Sequence, residues 1–106
     1  MARRPKGVQS YTFSGTSPLD AVVKAGPGIL YSFEIQWTGG TADDVIHVHD
    51  SATADAAAAK KYTFRFDAAT GKYAAVLPEV GIEFLNGLWL NYQTAGPKVS
   101  VTIGYD

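Results

Sequence analysis

Along residues 29–38, apolar and polar side chains take turns. Ile29, Tyr31, Phe33, Ile35 and Trp37 fall on one side, Ser32, Glu34, Gln36 and Thr38 fall on the other, and Leu30 alone is out of phase. A period of two is what a strand needs when one face packs on a core and the other meets water. The pattern recurs and predicts main strands over residues 8–14, 19–24, 29–38, 45–50, 61–66, 72–77, 88–94 and 98–105. The run at 81–84 is too short to count as a strand of its own. Turn formers separate the strands: Gly15, Ser17 and Pro18, then Ala25-Gly26-Pro27-Gly28, residues 39–44, residues 67–71, Asn86-Gly87 and Gly96-Pro97. The segment 51–60 (SATADAAAAK) holds no large apolar residue. Its alanines allow one or two helical turns, a loose crossing loop fits equally, and either would run over the surface.

Short strands with turns every ~8–12 residues predict an all-β sandwich or small barrel. An eight-stranded antiparallel jelly-roll-like β-sandwich is the leading expectation, because its two sheets manage their edges by packing face to face. An immunoglobulin-type sandwich comes second, without the Cys-Trp-Cys hallmark. The chain reads as one domain over residues 8–106, preceded by a short basic arm over 1–7.

Composition narrows the classes. At 106 residues the chain is just long enough for one self-sufficient core, and a 46% hydrophobic content sets it apart from disordered sequences. No apolar run approaches the ~20 residues of a membrane span. Without cysteine there are no disulfides, thiol nucleophiles or thiolate metal sites, which suits a reducing cytoplasm or indifference to redox. A net charge of -1 gives no general attraction for nucleic acid. The first residues, MARRPKG, lack the apolar stretch of a Sec-type signal. Arg3, Arg4 and Lys6 crowd there, as either a solvated leader or a basic arm that lies on an acidic partner surface.

His47-Val48-His49-Asp50 is the one constellation with the look of a site. Histidines at i and i+2 on a strand share a side, ~7 Å apart, close enough for both rings to reach one metal ion. The cupin family uses such an H-x-H on a jelly-roll strand, with a glutamate soon after and a third histidine near the end. Here the glutamate positions read Ala52, Thr53 and Ala54, and the chain has no third histidine. Two ligands complete no zinc or iron site. The pair is therefore expected to be partly buried or interfacial, with no metal or other cofactor. Replacing both by alanine is expected to leave the fold largely intact.

No G-x-S-x-G nucleophile turn occurs. Asp43-Asp44 and Asp50 with Asp55 lack calcium-loop spacing and read as turn formers. No enzyme activity is expected. In residues 88–94, Leu88, Leu90 and Tyr92 form the inner stripe, which sends Trp89, Asn91 and Gln93 outward. An outward indole has three readings: covered by the chain's own loop, set in a subunit or partner interface, or offered as a platform for a sugar ring.

The run from Ile46 to Ala52, the Phe84-Leu85-Asn86-Gly87-Leu88 turn and the strand from Val99 to Tyr105 resemble small virion structural proteins of tailed bacteriophages. The resemblance covers about residues 28–105. It implies a capsid decoration or cement protein that binds the major capsid protein shell and self-associates as a trimer or dimer. Arg3, Arg4, Lys6 and Trp89 would be the partner-binding residues, on a virion surface after synthesis in the host cytoplasm. Another virion component, such as a fibre or receptor-binding module, and a small carbohydrate-binding or cupin-like domain are the alternatives. No catalytic residues come with the resemblance.

Overall fold

The structure, a computed structural model, describes residues 9–77 and 81–106. Nine strands lie among the described residues: β1 (Gln9–Thr16), β2 (Leu19–Lys24), β3 (Gly28–Thr38), β4 (Val45–Asp50), β5 (Lys60–Arg65), β6 (Gly71–Val76), β7 (Ile82–Phe84), β8 (Leu88–Tyr92) and β9 (Lys98–Tyr105). One sheet runs β1-β9-β3-β6, with β7 also paired to β3, and the other runs β2-β8-β4-β5. Every pairing is antiparallel. The chain passes back and forth between the sheets in jelly-roll order, with β7 as the one addition to the eight-strand plan. The shortest dimension, 20 Å, leaves room for two layers and no third.

The extra strand has a physical cause. β3 is eleven residues long, but β6 covers only Ser32–Trp37. Backbone donors and acceptors near a core need partners, and β7 supplies them along Gly28–Leu30. A three-residue run is thus held as a strand by its neighbour rather than by its own propensity. Its place beside β3 corrects the expectation that it would not count.

Leu30, out of phase in the sequence, is explained by register. The pairing of β3 with β9 shifts between Leu30 and Ser32, so Tyr31 is an extra residue that turns the strand by one step. The buried stripe is therefore Leu30, Phe33, Ile35 and Trp37, while Ile29 and Tyr31 are only half-buried. Facing it across the sandwich are Ile46, Val48, Phe64, Phe66, Leu88, Leu90 and Tyr92. Trp37 stacks on Phe66 with ring centres 4.8 Å apart and meets Phe64 edge-on at 5.4 Å. Its indole N–H donates to the Ala68 carbonyl at 2.9 Å. Fully burying side chains of this size contributes ~1.5–3 kcal/mol each.

Residues 51–59 form no helix. Asp55 takes the Ala57 N–H on its carboxylate at 3.0 Å, a local turn that competes with helix. The segment then folds back on β4, where the Asp50 N–H donates to the Ala59 carbonyl at 2.7 Å.

Far-UV circular dichroism of the purified chain is expected to be β-type with little helix. A Cβ at Gly71 would stand 2.7 Å from the Trp37 ring, which is wedged between phenylalanines and cannot give way. Gly71→Ala should therefore cost ~1–3 kcal/mol, read as a lower urea midpoint at unchanged slope.

Candidate functional site

The outer face of the β2-β8-β4-β5 sheet carries the residues singled out in the sequence. Register sets Trp89 of β8 between Val22 of β2 and His49 of β4, and Asn91 between Asp20 and His47. The four polar groups and the indole form one patch. The Trp89 N–H donates to the Asp20 carboxylate, and its ring lies 4.6 Å from the His49 imidazole, centre to centre. With these neighbours Trp89 is only 3% exposed. The indole does point outward, but the expectation of a docking or sugar-binding indole is corrected. The chain itself covers Trp89, which is the first of its three readings.

His49 is 1% exposed, more deeply buried than the partly buried pair the sequence led us to expect, so its removal is expected to cost more than that reading implied. Its Nδ1 lies 3.1 Å from the Ala58 carbonyl. A carbonyl can only accept, so Nδ1 carries the proton. Its Nε2 takes the Asn91 side-chain N–H at 3.2 Å, and the Asn91 oxygen in turn accepts from the Gln93 amide. Both ring nitrogens are therefore engaged within the protein. His47 is half-buried, 2.9 Å from the Thr63 hydroxyl through Nδ1, with its ring centre 5.6 Å from that of His49. Burial, then the nearby Lys60 ammonium and His49, hold its pKa below the ordinary 6.5. Among the described residues no group of three His, Cys, Asp or Glu is placed to hold a metal ion. Nor does any buried side-chain N or O there lack a hydrogen-bond partner.

The carboxylates of Asp50 and Asp44 tie distant parts of the chain together, which goes beyond the local turn-forming role expected of them. Asp50 accepts backbone N–H bonds from Leu85 at 3.2 Å, Asn86 at 2.7 Å and Gly87 at 3.4 Å, pinning the β7–β8 turn to the end of β4. Desolvation pushes the Asp50 pKa up, yet these N–H groups and Lys61 outweigh it and hold the pKa below the ordinary 3.8. Gly87 is required because a Cβ there would meet the Ser51 and Lys24 carbonyl oxygens at 2.5 and 2.7 Å. Asp44 accepts the Tyr92 hydroxyl at 2.8 Å. Burial, that bond and the Asp44 charge push the phenol pKa upward.

The other sheet offers a different surface. Its outer face holds an open recess of about 550 Å³, lined on its polar side by Glu34, Gln36, Lys72, Ser100 and Thr102. Asp20 and this group were not singled out in the sequence, and Asn91 was read only as facing outward beside Trp89. Each is an ordinary polar residue in strand phase, and only the register between distant strands brings it beside a partner. Arg3, Arg4 and Lys6 lie outside the described residues. Comparison with models of known families, with curated proteins and with solved structures finds no match to the chain.

His49→Ala is expected to cost ~2–4 kcal/mol, because it leaves a cavity and strands the Asn91 N–H and the Ala58 carbonyl. His47→Ala should cost under ~1 kcal/mol, since its single bond is near solvent. Chemical denaturation of the two variants checks the contrast.

Both depressed pKa values favour proton release in the folded state, so both contributions are complete above the unfolded values. As pH falls, the His47 contribution is lost from 6.5 downward and the Asp50 contribution from 3.8 downward. Asp50→Asn should lower stability at neutral pH by ~1 kcal/mol, discounted for its exposure. It should also flatten the pH dependence of the urea midpoint below 3.8 while leaving the window near 6.5 unchanged.

Proposed function

We propose that the chain is a non-catalytic structural protein of a tailed-bacteriophage virion, of the decoration or cement type, docking as a homo-oligomer on the outer shell of the head. One observation carries the non-catalytic part. The chemistry-bearing residues His49, Asp44 and Asp50 spend their polar atoms on tying strands and turns together. A site for chemistry holds such groups ready for a substrate; here they brace a shell of strands. What faces outward is mostly polar sheet surface and strand edge, with Val22, Tyr73, Val76 and Leu85 exposed among it, which suits function by docking. The quoted turn and strand motifs support the virion assignment, and the basic residues Arg3, Arg4 and Lys6 supply a docking arm. Trp89 braces the β2-β8-β4-β5 sheet instead of touching the shell.

A second reading rests on the recess beside Glu34, Gln36 and Lys72, whose carboxylate, amide, ammonium and hydroxyls match the hydrogen-bonding groups of a glycan. NMR shift changes confined to those residues on titration with capsule or cell-wall oligosaccharides would favour it over docking.

The docking reading is tested by co-sedimentation with undecorated phage heads across a salt series, comparing the parent with a chain lacking residues 1–6. Exposed arm charges contribute up to ~1 kcal/mol each, and screening tightens as the Debye length shrinks from ~10 Å at 0.1 M salt to ~3 Å at 1 M. The parent should bind more tightly than the deletion at low salt, and the two should converge at high salt. Equal binding at low salt would reduce the arm to a leader, and no binding by either chain would overturn the docking reading.

A further inference from the structure

We propose that β6 is a self-association edge, along which a second copy of this chain adds its own β6 antiparallel about a two-fold axis. The proposal rests on the homo-oligomeric part of the docking reading and names its surface. Among the described residues the edge strands are β1 on one side of its sheet, β6 and the three-residue β7 on the other side, and β2 and β5 on the second sheet. Edges are usually protected by charge, bulges or weak strand formers. β5 carries Lys60, Lys61 and Arg65, and its pairing with β4 is bulged. β2 carries Asp20 and Lys24 beside a register shift. β1 presents Ser10, Thr12 and Ser14, with Gly15 near its end. β6 reads Gly-Lys-Tyr-Ala-Ala-Val, with Lys72 as its one charge, and like β1 it pairs in unbroken register; what sets it apart is exposed apolar surface, with Val76 90% and Tyr73 45% exposed.

Hydrogen-bond phase fixes how a copy would pair. The Leu77 N–H donates to the Tyr31 carbonyl of β3 at 2.9 Å. The N–H and C=O of one strand residue point the same way and alternate along the strand. Tyr73 and Ala75 therefore face β3, while Lys72, Ala74 and Val76 turn their backbone groups to the open edge. Pairing these with their equivalents places Ala74 opposite Ala74 and Lys72 opposite Val76, each pair exchanging two N–H···O=C bonds. Other registers in the same phase engage fewer of them.

Side chains agree with that register. The small Ala74 sits at the axis and lets the strands close there, and Ala75 leaves room on the other face for Tyr73 of the partner subunit. On the outer face, Glu34 of β3 lies beside Ala74. Lys72 of the partner subunit would stand two strand spacings from it, ~10 Å, and one row along. Two β6 side chains flank that diagonal: Ala74, which is small, and Val76, which lies opposite the partner's Lys72, so the long lysine side chain can reach Glu34 over Ala74. The two-fold axis makes the contact twice. Charge complementarity and hydrogen-bond phase thus select the same partner, another copy of this chain.

The test is sedimentation equilibrium of the full chain from low micromolar to near-millimolar concentration, with circular dichroism as the folding control. The parent should reach twice 11.3 kDa. Ala74→Pro removes an edge N–H that β3 does not use, a place where an edge strand tolerates proline, and should weaken the dimer at least about tenfold. Lys72→Glu and Glu34→Lys should each weaken it, and the double exchange should return it to within about threefold of the parent. Val76→Lys, at a 90% exposed position, sets two like charges opposite each other across the proposed edge; it should also weaken the dimer and keeps the test decisive even if Ala74→Pro fails to fold. A parent monomeric at every concentration overturns the proposal, as does a double exchange no tighter than the single variants. A monomeric parent that still sediments with heads overturns β6 pairing and leaves the docking reading standing. A β6-dependent dimer that binds no head supports the pairing and removes the docking reading.

Discussion

The demand that β3 makes on its surroundings organises this sandwich. It is eleven residues long, it carries Leu30, Phe33, Ile35 and Trp37 on the face that must be dry, and its backbone needs partners along both edges. β9 satisfies one edge along nearly the whole strand, while β6 and β7 divide the other. The second sheet then supplies the apolar lid, and its aromatic residues meet Trp37 and Phe33 ring to ring. Phe66 reaches across to Trp37 on one side and Tyr92 on the other, and the Tyr92 hydroxyl ends on Asp44 in the loop that follows β3. Burial of one strand thus propagates into the placement of loops.

The outer face of the second sheet follows the same logic with polar atoms. Buried polar groups left without partners cost ~1–3 kcal/mol each, so a patch holding His49, Asn91 and Trp89 under cover needs a closed set of bonds. It has one, through Ala58, Gln93 and Asp20. These bonds also fasten the 51–59 segment, which has no large side chain of its own to anchor it. His49, one of two histidines spaced like metal ligands in the sequence, is a brace in the fold.

Much of the fold was legible because it rests on local periodicity. The stripes of β3, β8 and β9 and the turns at Asn86-Gly87 and Gly96-Pro97 declare themselves within a few residues. β7 was not legible, because Ile82–Phe84 is a strand only through the span of β3 that β6 leaves uncovered. Leu30 showed as a broken alternation, but its cause, a bulge opposite β9, lies some seventy positions away in the chain. At the candidate site, the outward phase of Trp89 was visible. The cover over Trp89 was not, since Asp20 and His49 reach it through strand pairing that no local pattern encodes.

The central claim is that the second sheet's polar face is closed while the β6 edge is open to a partner. Amide and indole hydrogen exchange followed by NMR on the full chain, at low and high concentration, tests both halves at once. The account predicts a slowly exchanging Trp89 indole N–H at every concentration. It also predicts amides of Lys72, Ala74 and Val76 that exchange fast when dilute and become protected when concentrated, with those of β2 and β5 unchanged. A fast-exchanging Trp89 indole, or β6 edge amides that stay fast at every concentration, would contradict it.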